Sequence, residues 1–189
     1  MIITISGLHG TGKSTVGRKV GKELNLKHVS SGELYRDMAK EQGKALKKFN
    51  EYAKDHPEVD KALDAKIENM AKEGKDLVID CQVCWYILDD NVDLKVLLQC
   101  GDTTRFRRIL KRIREEENEN NVHFEQVKAD TLQREKNERE RYQAIYGIDL
   151  GDRQWVRELH DLVIDTTNLP VEGVVDRIIE RVEQELDDG

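Results

Sequence analysis

The chain opens on a β-branched run, Ile2-Ile3-Thr4-Ile5-Ser6, which predicts a buried parallel strand over 2–6. A glycine-rich stretch follows. Val16, Val20 and Leu24 then recur every four residues, the stripe of a helix. Shorter runs predict further strands over 26–30, 76–80, 93–98 and 161–165, and "DLVID" occurs in two of them. Residues 31–73 read as helical with a break at His56-Pro57, since proline disfavours helix in the residue before it. A basic helix is predicted from about Thr103 to Arg114, a polar break over 115–121, and a charged helix from about Val127 to Ile145. Val174, Ile178, Val182 and Leu186 mark a closing helix.

Strands alternating with helices predict an α/β fold: a five-stranded parallel sheet with helices on both faces. Residues 1–189 then form a single domain, and 189 residues suffice for one proper core. Two segments with little strand signal, about 31–73 and about 112–145, read as helical insertions. They rise from the carboxyl edge of the sheet, where ligands bind in such folds.

Composition narrows the class. Charged residues make up 37% of the chain, which calls for helices with solvated faces. A net charge of −7 argues against a general polyanion binder. With strand beginning at Ile2, no signal segment is expected, and the longest apolar run, Val83 to Leu88, is too short to span a bilayer. Three cysteines cannot form a closed disulfide set, so a reducing cytosol is expected. Cys81 and Cys84 have the spacing of half a zinc site without a second half nearby, and read as a buried pair at a strand end. Trp85 and Tyr86 read as packing against that strand.

The chemistry begins at Gly7-Leu8-His9-Gly10-Thr11-Gly12-Lys13-Ser14, which fits the phosphate-binding loop without a mismatch. Backbone amides and a helix amino terminus converge there on an anion. Lys13 is placed to reach the β and γ phosphates, the Ser14 hydroxyl to hold Mg²⁺, and Thr15 to donate to the α phosphate. His9, in mid-loop, reads as a solvent-facing spacer. Such a loop is shared by kinases, GTPases and ATPase switches, so acceptor chemistry must come from elsewhere.

Arginines supply it. Phosphoryl transfer spreads negative charge over the moving group, and guanidinium neutralises it well. In "TRFRRILKRIR", Arg105, Arg108 and Arg112 share one helical side, and function is favoured for these three. Arg107, Lys111 and Arg114 fit a solvated face. In "REKNERERYQ", Arg134, Glu138 and Arg141 stand at i, i+4 and i+7, while Arg139 points away. That face fits a clamp for a phosphate and a ribose hydroxyl, and equally an ordinary ion-paired helix. "SSGELYRD" reads as a capped helix start that makes Arg36 a candidate for the acceptor's phosphate.

With these residues in place, the chain resembles the nucleoside monophosphate kinases, most closely the small archaeal type of cytidylate kinase. "GTGKST", "HVSSGELYR", "FNEYAKDHPEVD", "REKNERERYQAIYGID" and "DLVIDTTNLPVEGVV" carry the resemblance, and "FNEYAKDHPEVD" and "ERERYQAIYGID" are far more specific than the loop. It implies transfer of the ATP γ-phosphate to CMP or dCMP with Mg²⁺, in a P-loop fold whose insertion binds the acceptor and whose lid closes over the phosphates. It implies an ATP site of Gly7, Leu8, His9, Gly10, Thr11, Gly12, Lys13, Ser14 and Thr15. It implies a catalytic set of Lys13, Arg108, Arg112, Arg134 and Arg141. Ser31, Arg36, Gln82, Arg134, Glu138 and Arg141 fall in the acceptor region, Ser14 and Asp80 at the metal. Thr166 to Pro170 matches the loop against the ATP base. Partners are then ATP and a nucleoside monophosphate, with no nucleic acid or membrane, in a cytoplasmic monomer.

One position departs from the family. Where it usually carries an arginine after the third strand, this chain has Gln82, within "DCQVCWY". An amide donates hydrogen bonds but brings neither charge nor a bidentate fork. Two alternatives therefore stand beside cytidylate kinase: a related kinase for AMP, UMP or a non-nucleotide phosphate, and an ATP-dependent switch or assembly factor.

Overall fold

The computed structural model describes residues 1–74, 76–116 and 121–187. Five strands form one sheet: β1 (Ile2–Ser6), β2 (Lys27–Ser30), β3 (Leu77–Asp80), β4 (Leu94–Gln99) and β5 (Leu162–Asp165). Their order is β2-β3-β1-β4-β5, and every neighbouring pair is parallel. Ile5 pairs with Asp80 on one side and Val96 on the other, which sets the end of β3 beside the end of β1 while β4 runs on to Gln99.

Helix α1 (Lys13–Glu23) follows β1 and α9 (Val171–Asp187) closes the chain. Both pack on one face, where Val16 and Val20 meet Ile3, Ile5, Val78, Val174 and Ile178. The other face is covered by α2 (Ser31–Glu41), α3 (Leu46–Lys54) and α4 (Glu58–Glu73), through Tyr35, Phe49, Leu63 and Ile67. The expected closing stripe stops one turn early, at Val182, because Leu186 lies beyond the sheet and is 66% exposed. Ser30 caps α2 by accepting the amide of Glu33, so the helix starts where "SSGE" places it. Pro57 separates α3 from α4, as expected.

Two helices form an arm at the carboxyl edge: α6 (Asp102–Glu116) and α7 (Phe124–Tyr146). They share a small core of Phe106, Ile109 and Val127. Most of the expected polar break, residues 117–120 with its acidic tip, lies outside the described residues. Two short helices carry no stripe long enough to read from sequence: α5 (Cys84–Ile87) and α8 (Arg153–Glu158). Trp85 of α5 is buried edge-on against Trp155 and beside His160, which is packing, as expected. Cys81 and Cys84 are the expected buried pair at a strand end, but the expectation of reduced cysteines is corrected: they form a disulfide, their Cα atoms brought to 5.7 Å by the turn from β3 into α5, while Cys100 is a free thiol. Among the described residues no helix is long and apolar enough to cross a membrane.

Candidate active site

The carboxyl ends of β1, β3 and β2 deliver one half of the site. After Ser6 the chain turns through the glycine loop into α1, with Gly12 in the left-handed region at φ 102 as the helix cap. Space beside Gly12 is open, with no atom within 4 Å of where a Cβ would stand, as a cradle for an anion needs. Gly10 is the opposite case. Its φ is +81, and a Cβ there would sit 2.4 Å from the carbonyl oxygen of Arg105.

Lys13 folds over this loop, its Nζ donating to the carbonyls of Gly7 (2.7 Å) and Leu8 (3.0 Å). Burial pulls the ammonium below its ordinary pKa, opposed by the charges of Asp80 and Glu138. Ser14 Oγ donates to Asp80 Oδ1 at 3.1 Å. Ser30 Oγ donates to the same oxygen, and His28 Nε2 lies 2.7 Å from the other. A hydroxyl and an adjacent fixed carboxylate are hard oxygen donors of the kind Mg²⁺ prefers. Among the described residues there is no cluster of three or more His, Cys, Asp or Glu for a metal. Mg²⁺ is commonly held by one or two protein oxygens, with phosphates and water completing its shell. Thr15 is exposed at the third position of α1.

The other half comes from α7. Glu138 is buried and accepts three donors: Arg134 Nε on Oε1 (2.7 Å), and Gln82 Nε2 (2.8 Å) with His9 Nε2 (2.7 Å) on Oε2. Burial alone would raise its pKa. The charges of His9 and Arg134, with their hydrogen bonds, outweigh it and hold the carboxyl far below the usual range. His9 is therefore no spacer facing solvent, and that expectation is corrected. Its backbone N–H donates to Glu135 and its ring reaches Glu138, because α7 crosses directly over the loop.

Arg141 does not join Glu138. It reaches across to α4 and donates to both oxygens of Asp60, at 2.8 and 3.4 Å. One turn along, the hydroxyl of Tyr146 donates to Asp64, whose pKa burial pushes up to about 6. These two contacts tie the arm to the insertion. Neither acid was among the expected site residues, although Asp60 and Asp64, four apart and flanking the apolar positions 59, 63 and 67, are buried acids that the stripe itself announces. Tyr35 was missed as well. Its hydroxyl is buried without a hydrogen-bond partner among the described residues, and its pKa is pushed up to about 12 by burial, with Arg141, Asp60, Arg134 and Glu138 all acting on it.

The remaining expected residues divide. Arg108 is half-buried and braces two loops, donating to Thr166 O (2.6 Å), Thr166 Oγ1 (3.0 Å) and Thr11 O (3.4 Å). Arg105 is 1% exposed and serves the architecture: it forks onto Glu135 at 2.6 and 3.1 Å, bonds Asp102, and holds the carbonyl of His9. Arg112 is exposed further along α6. Arg36 is exposed on α2 beside Gly32, one turn from Ser31. The site thus gathers Lys13, Ser14, Asp80, His9, Gln82, Arg134 and Glu138 tightly. Arg141 reaches to the insertion, while Arg36 and Arg112 are exposed on α2 and α6.

A phosphate loop on a parallel sheet of this order, faced by an arginine-bearing arm, defines a P-loop phosphotransferase. Residues 3–143 match the model of an AAA domain family. The fold agrees with that of shikimate kinase from Bacteroides thetaiotaomicron, at TM-score 0.66 and 15% identity, covering 97% of this chain and 98% of that one. The cytidylate kinase of Methanocaldococcus jannaschii is 36% identical over 92% of this chain and 93% of its own length. That of Pyrococcus horikoshii is 36% identical over 92% and 84%. The chain belongs to the cytidylate kinase family of archaeal type, within the nucleoside monophosphate kinases.

Proposed function

We propose that this enzyme transfers the γ-phosphoryl group of ATP to CMP or dCMP, giving ADP and CDP or dCDP. One observation carries the reading: the Arg134–Glu138–Gln82 group lies directly against the phosphate loop, joined to it through His9. Donor and acceptor phosphates held on the two sides meet end to end.

The loop amides and Lys13 hold the β and γ phosphates, so Lys13 exchanges its two carbonyl partners for phosphate oxygens. Arg134 and Arg141 turn from carboxylates to the acceptor phosphate, with Arg36 and Ser31 on its far side. Glu138 orients Arg134 beforehand and Asp60 orients Arg141. Arg108 keeps the loop after β5 at the ATP base while sharing Thr11 with the phosphate loop, and Arg112 joins from the arm as it closes. No side chain need remove a proton, because the nucleophile is already a phosphate oxygen. Catalysis then comes from alignment, charge neutralisation and exclusion of water. Ser14 and Asp80 would hold Mg²⁺, which neutralises phosphate charge when bound.

A coupled assay of ADP release tests this with CMP, dCMP, UMP, AMP and a sugar phosphate as acceptors. CMP or dCMP must give the highest kcat/KM. Turnover with only another acceptor reassigns the substrate, and ATP hydrolysis indifferent to every acceptor removes the kinase reading.

A further inference from the structure

His9 has no function in the transfer just described, yet it is the link between the two halves of the site. Glu138 is 7% exposed and holds three donors, of which Arg134 alone carries a permanent charge. Arg134 is also more exposed than His9: 34% of its side chain is accessible, against 21%. When the guanidinium turns to an acceptor phosphate, Glu138 keeps only Gln82 and His9. Gln82 is neutral at every pH. A buried carboxylate stripped of its counter-charge is costly, and that cost would be drawn from acceptor binding.

We propose that His9 is a positioning residue that takes up one proton as the acceptor phosphate draws Arg134 away, so that Glu138 stays paired throughout. This rests on the acceptor site proposed above. The 2.7 Å contact between His9 Nε2 and the Glu138 carboxylate already places a hydrogen on Nε2. The close Nε2–Nε2 approach of Gln82 and His9 is then two donors converging on one oxygen. The incoming proton, taken from solvent, forms an N–H bond at Nδ1, and the ring becomes a cation bonded to Glu138.

The groups around the ring fit this exchange. Arg134 and Glu138 face it from α7, Lys13 from the start of α1, and Gln82 from the turn after β3, while Glu135 of α7 and Arg105 of α6 bond the main chain beneath it. The main chain of His9 is fixed at both ends, by Glu135 and Arg105, so the ring cannot follow the departing Arg134. In the free protein burial lowers the imidazole pKa, Glu138 raises it, and Arg134 and Lys13 lower it further; the balance is downward. Those two cations are the ones that acceptor and ATP phosphates neutralise. Binding thus removes the opposition and leaves Glu138 in control.

Calorimetric titration of CMP into the full chain near pH 7.5, in buffers of different ionisation enthalpy, counts the protons. The wild-type protein should take up close to one more proton per CMP than His9→Gln, whose amide still donates to Glu138 but cannot be charged. Gln82→Arg, which retains His9 but gives Glu138 a second permanent cation, should also lose the uptake. In turnover, KM for CMP should rise with pH by up to about tenfold per unit above neutrality in the wild type, with kcat less affected, and His9→Gln should flatten that profile. Equal proton counts in wild type and both variants, with CMP bound by all three, overturn the proposal while sparing the acceptor site. Failure of the wild-type protein to bind CMP overturns the acceptor reading and this inference with it.

Discussion

Replacing Arg105 with methionine tests whether this arginine is architectural, as its surroundings indicate. Its side chain is 1% exposed and its partner Glu135 12%. Two parallel bonds to Glu135, at 2.6 and 3.1 Å, make a bidentate pair, with a third bond to Asp102 and a fourth to the carbonyl of His9. Opposite charges about 4 Å apart attract by about 4 kcal/mol at an effective dielectric near 20. Removing one member of such a buried pair costs about 3–5 kcal/mol, because the other is left unpaired. For a chain of this length that corresponds to a fall in Tm of about 10 °C. Arg105→Met should show this by circular dichroism melting and urea denaturation. Adding Glu135→Gln removes the stranded charge and retains an acceptor for the amide of His9. The double variant should recover at least half of the loss. A single-variant loss under about 1 kcal/mol, or a double variant no more stable than the single, would refute the assignment.

Three further outcomes follow from the site. Asp64, with its pKa raised to about 6 by burial, favours the fold when protonated; that contribution is complete below about pH 4 and is lost as pH rises through 6. Asp64→Asn should therefore stabilise the protein by about 1–3 kcal/mol at pH 8, with the gain shrinking towards zero near pH 4, as read from urea midpoints. Asp80→Asn should raise the Mg²⁺ concentration for half-maximal activity about tenfold or more, since the carboxylate both faces Ser14 and is held by Ser30 and His28. Gln82→Arg should lower KM for the acceptor, because the new guanidinium takes over Glu138 and leaves Arg134 free to turn; an unchanged KM would show that Glu138 does not restrain Arg134.

How much was legible follows from what each signal depends on. The five strands are short β-branched runs, and the structure begins or ends each within one residue of the reading. The glycine loop is a local pattern whose strand and helix flanks confirm it. Arg134 and Glu138 were visible as one helical face because i, i+4 geometry is a property of the segment alone. Arg141 belongs to the same face, but its partner Asp60 lies 81 positions away on another element. A face predicts direction, and only the fold supplies what stands opposite. His9 failed for the same reason: its setting depends on α7, 129 positions later. Arg105 shared a side with Arg108 and Arg112, yet the three differ in burial because α6 leaves the protein as it runs outward. The disulfide was obscured by counting cysteines instead of asking where a three-residue spacing falls after a strand.

The α6–α7 arm is lined by Phe106, Ile109 and Val127, which pack on one another and not on the sheet. It therefore carries its own interior. A swing of the arm, as the proposed closure requires, would leave the main core intact, so the sheet can be as firm as folding demands without slowing that closure. Substitutions in those three side chains would retune the pace of opening with the foundation untouched, and the two properties are free to be selected separately.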